Sequence, residues 1–299
     1  MREPPPTDIS AARRIPTAGS PGRRPISPTD SSAPSEAARR RGLLYGRRKG
    51  PKLSAHQLAL RETLLPRLRL EIRQGIDPRS YFLPPPCGEV GKSEGFFGWG
   101  ASPRTGPPPE ALRASTSPQG GGEKVDDVWL EIGFGAGEHL QWQAQHHPRV
   151  GLIGAEPYEG GVAKLLSKLD GTENIRIHEG DAREIVDALP DAGIGRAFIL
   201  FPDPWPKTRH HKRRFVQMDT LDRLARVLKP GAELRFASDD AGYVAWALER
   251  LSAHPAFEWR AERVRDWTAR PADWPQTRYE AKALHGPPAF LRFRRTATL

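Results

Sequence analysis

The chain has 299 residues, and its 46 Lys and Arg against 36 Asp and Glu give a formal net charge of +10, which favours an anionic polymer or surface as partner. No apolar run reaches the roughly 18 residues that a membrane-spanning helix needs. The single cysteine, Cys87, rules out an intrachain disulfide and a cysteine-based zinc site.

Met1 to Thr7 holds three prolines and no apolar core, unlike a secretory signal, so the expected location is the cytoplasm, whose reducing conditions suit a lone thiol. Residues 1–38 are rich in Pro, Ser, Ala and Arg without apolar periodicity, a composition that predicts a disordered tail. Residues 39–83 read as a basic arm followed by an N-terminal helix. Arg39 to Lys52 is basic but interrupted by Leu43-Leu44-Tyr45, an interruption that suggests docking as well as charge. Ser54 and Gln57 have capping-box spacing ahead of Leu58, Leu60, Leu64 and Leu65, and Pro66 should end or bend that helix. Residues 84–124 turn to Gly, Pro and Ser, with Pro107-Pro108-Pro109 and Gly120-Gly121-Gly122, and predict a mobile insertion.

From Val125 to Leu299 strand-like and helix-like runs alternate, which predicts one α/β domain, with strands near 127–132, 150–155, 174–178, 196–201, 232–237, 257–262 and 289–295. The first strand runs into Glu131-Ile132-Gly133-Phe134-Gly135-Ala136-Gly137 and then a helix-like stretch. Glycines let such a turn approach a ligand closely, and the helix start offers free N–H groups. Dehydrogenases and methyltransferases share this turn. A dinucleotide site needs a third glycine two residues later, where Glu138 and His139 stand, and Glu131 ahead of the glycines suits a cationic or amine-bearing ligand better than a diphosphate.

Glu156 closes the second strand, roughly 20 residues on, where an α/β nucleotide fold places the acid that accepts from ribose hydroxyls. Asp181 closes the third, just before a helix-like run from Ala182 to Leu189. The alternative for each is a helix N-cap. The fourth strand delivers Phe201 to Arg214, where Pro202, Pro204 and Pro206 stiffen the backbone around Asp203 and Trp205. The basic strip from Lys207 to Arg214 suits phosphates, although a solvated basic turn has the same composition. Ligands of open α/β sheets bind outside the carboxyl ends of the strands, so Glu131, Glu156, Asp181 and Asp203 describe one crevice. Further on, Phe215 to Leu228 has helical spacing and a stop at Lys229-Pro230-Gly231. Ala241 to Leu251 predicts another helix, with Tyr243, Trp246 and Ala247 facing the core. The doublets His146-His147 and His210-His211 point to different sides of regular structure and lack metal-ligand spacing.

The run Phe201 to Arg214, with Thr277-Arg278-Tyr279-Glu280, resembles the bacterial tRNA (guanine-N7)-methyltransferases, over residues 123–299 and a shorter N-terminal piece. The resemblance implies a Rossmann-like class I α/β fold over 125–299, a mostly parallel seven-stranded sheet with helices on both faces. It implies S-adenosylmethionine as cofactor, tRNA as substrate, methylation at N7 of a variable-loop guanine, and neither metal nor membrane; a monomer and a homodimer both fit. It further implies that Glu131, Gly133, Gly135, Glu156, Asp181 and Asp203 bind the cofactor, with Asp203 catalytic. Lys207, Asp239, Thr277, Arg278, Tyr279 and Glu280 would engage the substrate, although the adjacent Asp240 leaves open which of the two aspartates makes the contact.

Guanine N7 carries a free lone pair and can attack a sulfonium methyl without first losing a proton, so no strong base is needed. Asp203 would offset the positive charge that moves onto the purine, while Trp205 and Pro204 frame the ring. Two alternatives remain. An amino-methyltransferase on adenine or cytosine would carry Asp-Pro-Pro-aromatic rather than Asp203-Pro204-Trp205. A non-catalytic RNA-binding subunit on the same scaffold would be expected to have lost the crevice acids.

Overall fold

The computed structural model describes residues 50–83, 125–169, 171–282 and 284–297. The expected tail, most of the basic arm and the insertion at 84–124 lie outside the described residues.

Seven strands form one sheet: β1 (Asp127–Ile132), β2 (Val150–Ala155), β3 (Ile175–His178), β4 (Ile194–Leu200), β5 (Leu228–Ser238), β6 (Phe257–Trp259) and β7 (Ala289–Arg295), in the order β3-β2-β1-β4-β5-β7-β6. All pairings are parallel except those of β7, which runs antiparallel to both β5 and β6. Parallel neighbours need crossovers. The strand order reverses at β1, leaving a crevice between the carboxyl ends of β1 and β4 where open α/β sheets hold their ligands.

Alternation along β1 divides the core. Val128, Leu130 and Ile132 pack with α5 (Ala182–Ala188), α6 (Met218–Val227) and α7 (Ala241–Ala253), whereas Trp129 packs with α3 (Glu138–His146) and α4 (Glu159–Leu166). Helices therefore cover both faces. Successive side chains of a strand point to opposite faces, so Glu131 shares the face of Trp129 and meets α3.

The N-terminal segment joins the α3 side. The capping box is present: Gln57 N donates to Ser54 Oγ at 3.2 Å and Ser54 N to Gln57 Oε1 at 3.1 Å. Helix α1 (Ala55–Thr63) stops before Pro66, which falls in the first turn of α2 (Leu65–Leu68), where a missing N–H costs nothing. Leu65 and Leu68 are buried in the second core, and Leu70 N donates to Ile177 O at 2.8 Å, a brief extension of the β3 edge.

Three boundaries differ from expectation. Helix α6 begins at Met218 rather than Phe215, because the N–H groups of Phe215 and Val216 are taken by the Tyr243 hydroxyl at 3.0 and 3.3 Å and Gln217 forms the cap with Thr220. The helix ends at Val227 as its stop signal requires, yet Lys229-Pro230-Gly231 opens β5, with a register shift opposite Ile194 and Arg196. Strand β6 ends at Trp259. Among the described residues no helix is long and apolar enough to cross a membrane, and no cluster of His, Cys, Asp and Glu is arranged to hold a metal.

Candidate active site

At the carboxyl ends of β1 to β4 lies a cavity of 410 Å³, within the range of small-molecule sites. The turn after β1 makes its floor. Gly133, Gly135 and Gly137 have φ of 74°, 56° and 72°, the left-handed region that side chains disfavour. A Cβ on Gly137 would come within 2.4 Å of Leu165, whereas one on Gly133 would stand in open space at the cavity wall.

Glu156 follows β2 and is 7 % exposed. Its Oε2 accepts from Gly135 N at 2.7 Å and its Oε1 from Tyr158 N at 2.8 Å. Burial pushes its pKa up to about 7, and the charges of Asp203 and Glu131 add to the rise while the two N–H donors oppose it. Glu131, 3 % exposed, meets His139 Nδ1 at 2.8 Å. Asp181 caps α5, accepting from Arg183 N at 3.0 Å and pairing with Arg183 Nη1 at 2.8 Å, and it lines the cavity at the same time. Capping and cavity lining are therefore compatible in one residue. Asp203 stands exposed at the mouth, yet enough protein surrounds its carboxylate for desolvation to raise its pKa.

Like charges crowded into a dry crevice oppose one another's ionisation, and a cation among them relieves the conflict. S-adenosylmethionine carries a sulfonium, an ammonium and ribose hydroxyls, and this set of acidic acceptors fits it. The open wall at Gly133 leaves room for the backbone to be approached.

Phe201 and Trp205, at the two ends of the proline-rich loop, have φ of 48° and 46°, a conformation that costs on the order of 1–3 kcal/mol for a residue with a side chain. Neighbours hold them there. Phe201 N donates to Ala237 O at 2.7 Å. Arg214, 2 % exposed, donates from Nε to Pro204 O at 2.8 Å and from Nη1 to Gly242 O at 3.3 Å, with its guanidinium 4.8 Å from the Tyr243 ring and 5.1 Å from that of Trp246. Arg214 thus leaves the expected phosphate-binding strip and becomes the anchor of the loop. Arg213 lies 4.8 Å over the Trp205 ring, and both line the cavity. Lys207, Arg209 and Lys212 are exposed. His210 is held below its ordinary pKa, by partial desolvation first and then by Arg213, Arg209, Lys207 and Lys212.

The cavity wall brings together Glu131, Gly133, Gly135, Glu156, Asp181, Asp203, Thr277 and Tyr279. Four other residues singled out in the sequence lie off that wall. Lys207 stands exposed ahead of the 3₁₀ turn Thr208–Arg213. Asp239 accepts from His285 N at 3.2 Å, while the neighbouring Asp240 caps α7 by accepting from Tyr243 N at 2.7 Å. Arg278 donates its N–H to Glu138 Oε2 at 2.7 Å, and Glu280 lies 3.3 Å from Arg270. His139, Tyr158 and Phe215 also line the cavity without having been singled out. The signal for His139 was available: a buried acid ending β1 needs a donor from the helix that follows.

A family model described as "Putative methyltransferase" matches residues 126–289. The chain is 47% identical over 266 residues to a tRNA (guanine-N(7)-)-methyltransferase of Rhodospirillum rubrum, covering 88% of this chain and 89% of that one. Proteins of the same name from Paramagnetospirillum magneticum and Brucella anthropi are 44% and 42% identical, over 87% and 86% of this chain and 96% and 94% of theirs. At this identity and coverage the chain belongs to the tRNA (guanine-N(7)-)-methyltransferase family.

Proposed function

We propose that the protein transfers a methyl group from S-adenosylmethionine to N7 of a guanine in the tRNA variable loop. The observation that carries this reading is the adjacency of two opposite fields: four acids at successive strand ends enclose one cavity, and its mouth at Asp203 opens beside an exposed cationic strip. S-adenosylmethionine supplies an electrophilic methyl on a sulfonium.

The residues divide the remaining work. Glu156 accepts from the ribose hydroxyls with a carboxylate already oriented by Gly135 N and Tyr158 N. Glu131 and Asp181 supply negative charge along the floor. Arg213 and Trp205 form one wall, against which a base can stack for about 1–3 kcal/mol. Asp203 faces the developing positive charge of the purine and stabilises it electrostatically. Guanine N7 has no proton to lose, so a carboxylate with a raised pKa is not required as a base. Lys207, Arg209 and Lys212 take phosphates, which makes tRNA binding salt-dependent. Residues 125–299 carry the transferase, 39–83 add a basic arm and an N-terminal helix, and the protein works in the cytoplasm.

The test is nucleoside analysis by mass spectrometry of tRNA incubated with the protein and methyl-labelled cofactor. Label should appear as 7-methylguanosine. Label on an exocyclic nitrogen would establish an amino-methyltransferase instead, and cofactor binding without transfer to any tRNA would make the chain a binding subunit.

A further inference from the structure

From Glu131 and His139 on the cavity wall a chain of buried polar groups runs through α3 to the loop that precedes Thr277. Glu131 Oε2 lies 2.8 Å from His139 Nδ1, and His139 Nε2 lies 3.0 Å from Gln143 Nε2, one helical turn further along. The same amide nitrogen donates to the Asp273 carbonyl at 2.9 Å. That carbonyl settles the amide's orientation, since turning Gln143 over would set oxygen against oxygen. His139 Nε2 must then accept, and its proton lies on Nδ1, donated to Glu131.

The far end is fixed as firmly. The Asp273 carboxylate meets Arg235 Nη2 at 2.8 Å and Arg196 Nη1 at 3.6 Å. Trp274 is buried beside it with its ring 5.7 Å from that of His139. A few residues on, Thr277 and Tyr279 line the cavity, and Glu138, in the first turn of α3, holds Arg278 N at 2.7 Å. Helix α3 therefore grips both the acid on the cavity floor and the segment that brings Thr277 and Tyr279 to the wall. Glu131, His139 and Gln143 are all buried. Buried polar chains of this kind add little net stability compared with apolar packing; this one constrains geometry through the three contacts just named, while Gln143 Oε1 is buried without a hydrogen-bond partner.

We propose that His139 and Gln143 are positioning residues for methyl transfer, keeping the Glu131 carboxylate and the Thr277–Tyr279 wall in one register across the cavity. The inference rests on the functional reading above, because the register matters only if donor and guanine meet there. A displacement of about 1 Å between reacting groups can cost on the order of a hundredfold in rate. Severing the chain should therefore act on the transfer step more than on either binding step.

Two variants cut it, the first close in shape to the parent and the second smaller. Gln143→Met removes both amide hydrogen bonds. His139→Asn keeps a donor to Glu131 but loses the acceptor that faces Gln143. The measurements are single-turnover methyl transfer at saturating cofactor and tRNA, calorimetric affinity for S-adenosylhomocysteine, and thermal melting, on both single variants and the double. The expected result is cooperative melting, product affinity of Gln143→Met, which lies off the cavity wall, within about threefold of the parent, a transfer rate reduced by about ten- to a hundredfold in both singles, and a double variant no slower than the poorer single. Parent-like rates in the folded variants, or losses that multiply in the double, would overturn the proposal. Should Gln143→Met fail to fold, the rate of His139→Asn decides alone. The parent run in parallel separates the two readings, since a parent that makes no 7-methylguanosine defeats the function itself, while a parent that makes it beside equally fast variants defeats only the positioning role.

Discussion

The acids of the crevice and the cations of the loop lie close together on the same end of the sheet, yet they are built in opposite ways. Glu131, Glu156 and Asp181 are held by partners within the chain, namely His139, two backbone N–H groups and the cap of α5. Lys207 stands exposed just ahead of a short 3₁₀ turn, and Arg209 and Lys212 stand exposed on it. A small ligand needs its charges placed in advance, because imprecision costs rate. A polyanion needs only a dense positive surface, since phosphate contacts act largely by charge. Asp203 sits on the boundary, exposed like the strip and desolvated like the crevice.

The largest expected effect lies at that boundary. Asp203→Asn keeps the shape of the loop and removes the charge, so single-turnover transfer should fall about 10²- to 10³-fold while tRNA affinity stays near the parent value. A parent-like rate would show that the boundary acid belongs to the strip and not to the chemistry.

Next in size is a pH effect centred on the crevice. The Glu156 carboxyl ionises near 4.5 when unfolded and near 7 when folded. Between those values the folded chain holds a proton that the unfolded chain has lost, so stability of the cofactor-free protein should decline as pH rises from 4.5 to 7, by up to about 3 kcal/mol. Denaturant titrations across that range check it. Glu156→Gln should flatten the decline, and an equally steep decline in that variant would assign the effect elsewhere. A bound cation reverses the preference, so cofactor affinity should rise with pH over the same window.

The contrast can also be drawn inside the strip. Arg214→Ala removes hydrogen bonds made by a buried guanidinium and should cost about 1–3 kcal/mol of stability. Lys207→Ala should leave stability within about 0.5 kcal/mol, yet lower the salt slope of tRNA binding by about one. Equal melting of the two variants would mean that Arg214 does not anchor the loop.

Most of the sheet was legible because apolar runs of strand length alternate with helical ones, and the crevice acids were legible because each ends such a run. The failures share a cause. Arg214 closes a run of basic residues and differs from its neighbours only in the direction the turn gives it, inward onto Tyr243 and Trp246. Asp239, expected at the substrate, lies off the cavity wall and accepts from His285 N, 46 residues later. Phe215 looks helical in sequence, but its N–H is taken by a tyrosine hydroxyl 28 residues later. In each case the deciding partner is distant in sequence, and local periodicity carries no record of it.

That hydroxyl has a consequence for the order in which the protein assembles. Tyr243 accepts from Phe215 and Val216, and its ring, with that of Trp246, receives Arg214, which in turn holds Pro204. The loop bearing Asp203 therefore cannot take its final form during synthesis until α7 has emerged and docked. Amide hydrogens of Phe215 and Val216 should exchange only when α7 opens, which makes this helix, remote from the chemistry in sequence, the gatekeeper of a competent loop.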